Sequence, residues 1–137
     1  MSDRVVTLIP QTVLAGNVTV VSDIYKLPFG TKTLAVLAKF VRAAGGGTLD
    51  VYIQTSLDGG ATWMDIMNLT FGITTANQIG VVKTDIAVAA AVVPADAALT
   101  DDTILDGVLG DRIRCKYVAA GTAYSGASHI TVTAVPN

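Results

Sequence analysis

Few side chains in this sequence have the chemistry to catalyse or ligate. His129 is the single histidine and Cys115 the single cysteine. A Cys–His nucleophile pair is conceivable, but Cys115 alternates with Ile113 and Tyr117 along one strand face, which assigns it to a core as a small hydrophobe. His129 falls on the polar face of a later strand, without a second histidine or a Cys-x-x-Cys at metal-ligand spacing. Asp96, Asp101, Asp102, Asp106 and Asp111 are dense enough to raise calcium. They lack the Asp-x-Asp-x-Asp-Gly order of an EF-hand and read as a solvated acidic loop. Asp50, Asp58 and Asp65 offer a glycosidase pair only if two of them flank a cleft. There is no Gly-x-Ser-x-Gly and no Walker loop. The expectation is therefore a non-enzymatic protein with no cofactor and no metal.

The remaining candidates are for contact. Arg112, Arg114 and Lys116 alternate with Ile113, Cys115 and Tyr117 and form a basic stripe on one strand face. Such a stripe solvates or protects an edge, or meets an acidic surface, with Asp101 and Asp102 of a neighbouring copy as the candidate counter-charges. Tyr52 and Tyr124 are the residues that would stack on a sugar if exposed.

The strongest local pattern is Thr48 to Met67. Leu49, Val51, Ile53 and Thr55 alternate with Asp50, Tyr52, Gln54 and Ser56, the period of a half-buried strand. Asp58, Gly59 and Gly60 then make a turn, and Trp63, Ile66 and Met67 start a return strand, followed by a short strand over Asn68 to Phe71. Ser56, Asp58, Gly60, Thr62 and Trp63 follow a Ser-x-Asp-x-Gly-x-Thr-Trp pattern and so resemble the Asp-box of sialidases and many unrelated β-proteins. The resemblance spans eight positions and implies a folding device away from any active site. The Asp58 carboxylate can accept from turn N–H groups, Gly60 permits positive φ, and Trp63 can cover the hairpin base. One such box in 137 residues cannot build a propeller of several blades, each of roughly 40 residues or more.

The rest of the chain reads as further strands. Arg4 to Ile9 is a strand closed by Pro10, and Val13 to Ile24 holds a second after the Gly16-Asn17 turn. Thr33 to Arg42 is apolar at nearly every position and reads as a central strand buried on both sides, with a helix as the competing form. Thr74 to Gln78 reads as polar loop and Gly80 to Val88 as a strand. Residues 87–98 fit a helical turn or two, or an extended arm, with Pro94 interrupting either. Gly110 to Ala119 and Ser128 to Val135 alternate cleanly. The 18 Val and 17 Thr suit pleated surfaces, and all 11 acids are Asp, a residue of turns and caps, with no Glu for helix interiors. About eight strands in one domain over residues 1–137 imply an all-β, antiparallel β-sandwich, with jelly-roll wiring as one form open to it.

Charge and hydropathy narrow the partners. A net charge of −2 lacks the basic footprint of a direct nucleic-acid binder. No apolar run reaches the ~18 residues of a membrane span, and Met-Ser-Asp-Arg is not the start of a signal peptide. The charged fraction is only 15%, which suggests a chain that hides surface against partners.

Three stretches carry a broader resemblance: Leu49 to Trp63, Leu109 to Tyr117, and the Gly121-Thr122-Ala123-Tyr124 turn with the strand from Ser128 to Val135. Together they resemble small β-sandwich structural proteins of tailed bacteriophage virions, of the kind that decorate or cement a capsid. That resemblance implies a virion location on the capsid surface after synthesis in the host cytoplasm. It also implies the major capsid protein and further copies of this chain as partners, with Met1 to Ile9 and residues 87–106 as contact segments. A neck or tail component, or a carbohydrate-binding or receptor-contact module, are the alternatives.

Overall fold

The computed structural model describes residues 4–86, 88 and 90–137. Met1 to Asp3, Ala87 and Ala89, part of the expected contact segments, lie outside the described residues. The chain is an all-β sandwich with antiparallel pairing in every ladder. In chain order the strands are β1 (Val6–Val13), β2 (Val18–Val21), β3 (Tyr25–Lys26), β4 (Thr33–Val41), β5 (Ala44–Gly45), β6 (Thr48–Ser56), β7 (Met64–Phe71), β8 (Ala76–Lys83), β9 (Thr103–Ile104), β10 (Arg112–Ala120), β11 (Tyr124–Ser125) and β12 (His129–Pro136). One sheet runs β1-β12-β4-β8. The other runs β2-β10-β6-β7-β9, with β3 also on β10, and β5 pairs with β11 apart from both.

The inner faces of the two sheets make one core. Leu34, Val36, Ala38 and Phe40 of β4 and Ile130, Val132 and Ala134 of β12 meet Leu49, Val51 and Ile53 of β6 and Ile113, Cys115 and Tyr117 of β10. This is the period-2 alternation of strands with one core face. At one end Phe40 packs against Phe71 and edge-on against Tyr124, with both ring centroids at 5.3 Å. The Tyr124 hydroxyl donates to the Gly72 carbonyl at 2.6 Å, so a large ring is buried without stranding its polar end.

Several expectations change. Pro10 does not close the first strand. β1 continues to Val13 through two irregularities in its pairing with β12, and as an edge strand it tolerates a residue without an N–H. β4 is a strand, not a helix, and only one of its faces is buried: Ala35 and Leu37 are half-exposed and Lys39 and Val41 exposed. The return strand is continuous from Met64 to Phe71. β8 begins at Ala76, inside the stretch read as loop, and ends at Lys83, before Val88. The described residues between 88 and 98 form neither helix nor strand.

Truncating Phe40, which is fully buried among two aromatic neighbours, to alanine is expected to cost about 3–5 kcal/mol, read as a lowered urea midpoint with an unchanged slope.

Candidate interaction surfaces

The hairpin between β6 and β7 fixes the outer face of the second sheet. Its turn closes on Ser56 and Asp58. The Ser56 hydroxyl donates to Asp58 Oδ1 at 2.9 Å and accepts from the Gly60 N–H at 2.9 Å. Asp58 Oδ1 also accepts from the Thr62 N–H at 2.7 Å, and the Trp63 indole N–H donates to the Gly60 carbonyl at 3.0 Å. Gly59 and Gly60 take φ of 75° and 99°, the left-handed region that glycine enters without a Cβ clash. The Thr62 N–H, followed by the Thr62 and Ser56 hydroxyls, holds the Asp58 carboxyl below its ordinary range.

A bulge then decides which side chains face out. Ile53 pairs with Met67, but the next pair is Gln54 with Asp65, so Ile66 is the extra residue. A regular ladder would put Ile66 opposite Gln54 on the outer face. The bulge instead sends Ile66 to the core and brings Asp65 beside Gln54. Asp65 is buried at 1% exposure, and among the described residues no salt bridge reaches it. Oδ1 accepts from Gln54 Nε2 at 2.8 Å and the Ala97 N–H at 3.0 Å, and Oδ2 from the Ala98 and Leu99 N–H groups at 2.9 and 3.0 Å. The Asp65 N–H donates to the Ala95 carbonyl at 2.7 Å. Ala97 adopts φ of 56°, which turns successive amides toward the carboxylate as an anion-binding nest. Residues 94–102 are thus strapped across the outer face of the second sheet.

The strap alters the fate of the predicted contact residues. The half-buried reading of β6 fails beyond Asp50, because Tyr52, Gln54 and Ser56 are covered as completely as their core-facing neighbours. Burial, and then the nearby Asp50, Asp65 and Asp101 carboxylates, push the Tyr52 phenol up to about 12. Tyr124 is also buried, so neither tyrosine offers a sugar platform. The basic stripe is engaged within its own chain. Lys116 Nζ meets Asp96 at 3.0 Å, and Arg114 donates to Gln54 Oε1 at 2.7 Å while its guanidinium lies 4.4 Å from the centre of the Trp63 ring. Arg112 donates to the Gly59 carbonyl at 3.0 Å and pairs with Asp111 at 3.2 Å. Asp101 and Asp102 do not reach the stripe. They cap β7, where Asp102 accepts from the Thr70 N–H at 3.1 Å and Asp101 from Asn68 at 3.4 Å.

The other candidate chemistry disperses. Asp50 accepts from Thr70 and Asn68, and burial together with nearby Asp101 raises its carboxyl. Asp106 caps the Lys83 N–H at 2.9 Å. Among the described residues no three acids, histidines or cysteines come together as a metal site. Cys115 and His129 lie in different sheets, and burial pushes the Cys115 thiol far up. Asp50, Asp58 and Asp65 each hold their own local structure, with no pair across a cleft.

Among the described residues no strap crosses the outer face of the β1-β12-β4-β8 sheet. Ile79 is 72% exposed and Val81 43%. They pair with half-exposed Leu37 and Ala35, and Val135 lies beyond Ala35. Lys39 and Lys83 share this face, and none of its four strands contains an acidic residue. The sequence hides it because Thr33 to Arg42, apolar at nearly every position, reads as buried on both sides, whereas one side of β4 faces out.

Asp65→Ala is expected to cost about 3 kcal/mol, since several buried donors lose their acceptor, and to abolish hydrogen-exchange protection at Ala98 and Leu99 while β10 stays protected. Asp58→Ala should lower the urea midpoint, because the turn loses the acceptor of the Thr62 N–H, and Trp63→Ala should cost about 3–5 kcal/mol. Asp58 and Asp96, the latter lowered first by Gln54 and then by Lys116, are acids whose folded values lie below the ordinary one. Their contribution is present above that ordinary value of about 3.9 and is lost as pH falls through the folded value. Emission from Trp63, the single tryptophan, should therefore shift below about pH 4 before the far-ultraviolet circular dichroism changes.

The chain matches no protein-family model, no curated protein and no solved structure.

Proposed function

We propose that this chain is a non-enzymatic structural protein of a tailed-phage virion, bound to the outside of the head as a decoration or cement protein. The observation that carries the reading is the strand order. With the two-residue strands set aside, the eight longer strands, numbered one to eight along the chain, lie as 1-8-3-6 in one sheet and 2-7-4-5 in the other. That order supports jelly-roll wiring, an architecture found in viral capsid and lectin domains. Burial of both candidate tyrosines weighs against the lectin branch. A capsid under internal pressure is strengthened by many copies that bridge neighbouring shell subunits, and the lattice supplies avidity even where each contact is modest.

On this reading the partners are the major capsid protein and neighbouring copies of the same chain. Nucleic acid and membrane play no direct part. The edge strand β1 and residues 88–106 are the segments through which neighbouring copies would meet. The protein is made in the host cytoplasm and resides on the capsid surface.

Purified particles provide the test. Counting this chain against the major capsid protein should give a simple fraction of the capsid copy number. A count of about a dozen or fewer moves the protein to the neck or tail, where rings replace a shell lattice. Absence from particles ends the virion reading.

A further inference from the structure

We propose that two copies of this chain join in a reciprocal contact, the Phe29 ring of each entering the hollow lined by Leu57, Met64 and Pro94 of the other. The virion reading names neighbouring copies as partners. The proposal adds the two features through which a pair of them meets, and it is tested on the free protein. Three observations carry it.

The first is the mounting of the ring. Phe29 is fully exposed, whereas phenylalanine is ordinarily a buried residue. It sits on a Pro28-Phe29-Gly30-Thr31 turn closed by the Thr31 N–H and hydroxyl, which donate to the Pro28 carbonyl at 3.2 and 2.6 Å. Gly30 takes φ of 85°, as the third position of a type II turn requires. On either side, the Leu27 N–H donates to the Asp111 carbonyl at 2.7 Å and the Lys32 N–H to the Asn137 backbone oxygen at 2.8 Å. A ring held out by a clamped turn loses little freedom when it is captured.

The second is a socket of matching size on the same chain. Beside the β6–β7 turn lies a hollow of about 190 Å³ lined by Thr55, Leu57, Asp58, Thr62, Met64 and Pro94. An apolar space of about 150 Å³ accepts a benzene ring. Met64 and Thr55 are buried at its floor, and Leu57 and Pro94 are exposed at its rim. Among the described residues, Phe29, Leu57 and Val93, the neighbour of Pro94, are three of the four most exposed large hydrophobic side chains, so knob and socket both face water in the free protein.

The third is placement. Lys26 pairs with Arg112, Arg112 with Ser56, and the adjacent Thr55 with Met64. That row marks one end of the second sheet, with the Phe29 turn and the hollow three strand spacings apart, about 14 Å. A knob and a socket on the same end can both be used around a twofold axis, which closes the pair and leaves no open chain. The same rotation carries Lys26, beside Phe29, towards Asp58 on the rim of the other copy's hollow, and does so twice. Asp111, the acid beside Phe29, is already paired with Arg112. Each ring buries about 200 Å² and covers a similar area of wall. The two contacts together hide about 800 Å², short of the roughly 1,200 Å² of a stable interface. The pair is therefore weak in dilute solution and favoured where copies are crowded, as on a lattice.

Sedimentation equilibrium of the purified full-length protein over a concentration series should show a monomer–dimer equilibrium. Phe29→Ser and, separately, Leu57→Asp should each raise the dissociation constant about tenfold or more, with an unchanged thermal midpoint because both side chains are exposed. In methyl NMR the Met64 resonance should move upfield as the wild type is concentrated, through the ring current of the incoming Phe29, and stay fixed in Phe29→Ser. Ile79→Asp, on the other sheet, should dimerise like wild type. A wild type that stays monomeric at millimolar concentration overturns the proposal, as does a dimer that Phe29→Ser leaves intact or that Ile79→Asp dissolves. A dimer lost in Phe29→Ser, with neither a Met64 shift nor an effect of Leu57→Asp, places the ring in another socket and also overturns it. None of these results bears on the copy number in particles, so the virion reading stands or falls separately.

Discussion

A buried side chain held by amides, Asp65, organises one whole side of this protein. Asp65 is buried, and its two oxygens accept from the side-chain amide of Gln54 and three consecutive backbone N–H groups. A polar group out of water is tolerable only when its lone pairs are filled, and these donors fill them. The requirement works in both directions. The strap supplies the amides that let Asp65 stay buried, and Asp65 gives an irregular segment with no ladder of its own a fixed place. From that contact follow the burial of Tyr52 and Gln54, the pairing of Lys116 with Asp96, and the seat of Arg114 between Gln54 and Trp63.

The bulge at Ile66 is the upstream cause. One extra residue in β7 resolves a conflict between a large hydrophobe and an acid that a regular ladder would have placed on the wrong sides. It also explains how a strand with an unbroken run of buried residues from Met64 to Leu69 includes both core and strap-facing side chains.

Legibility in the sequence followed the range of the interactions. β10 and β12 were readable because their alternation is a local property and both have one core face. The turn at Asp58 was readable because its hydrogen bonds join residues two to four positions apart. The strap was not, since Asp65 and Leu99 are joined across 34 positions by a carboxylate and backbone amides, and backbone amides carry no side-chain signature. The same long-range cover hid the burial of Tyr52. Pro10 misled for a different reason: a proline ends a central strand, but β1 lies at an edge. The open face of the first sheet was unreadable in principle, because alternation says which residues share a face and not whether anything covers it.

The position of β12 has a consequence for how the molecule comes into being. β12 lies between β1 and β4, so β1 has no neighbour in its sheet until β12 has been synthesised. A nascent chain emerging from the ribosome can form the β6–β7 hairpin at once, whereas Leu8 and Ile9 must wait for Val132 and its neighbours. Pairings of such long sequence separation close slowly and leave apolar edges open in the meantime. The sandwich closes late, when β12 enters between β1 and β4.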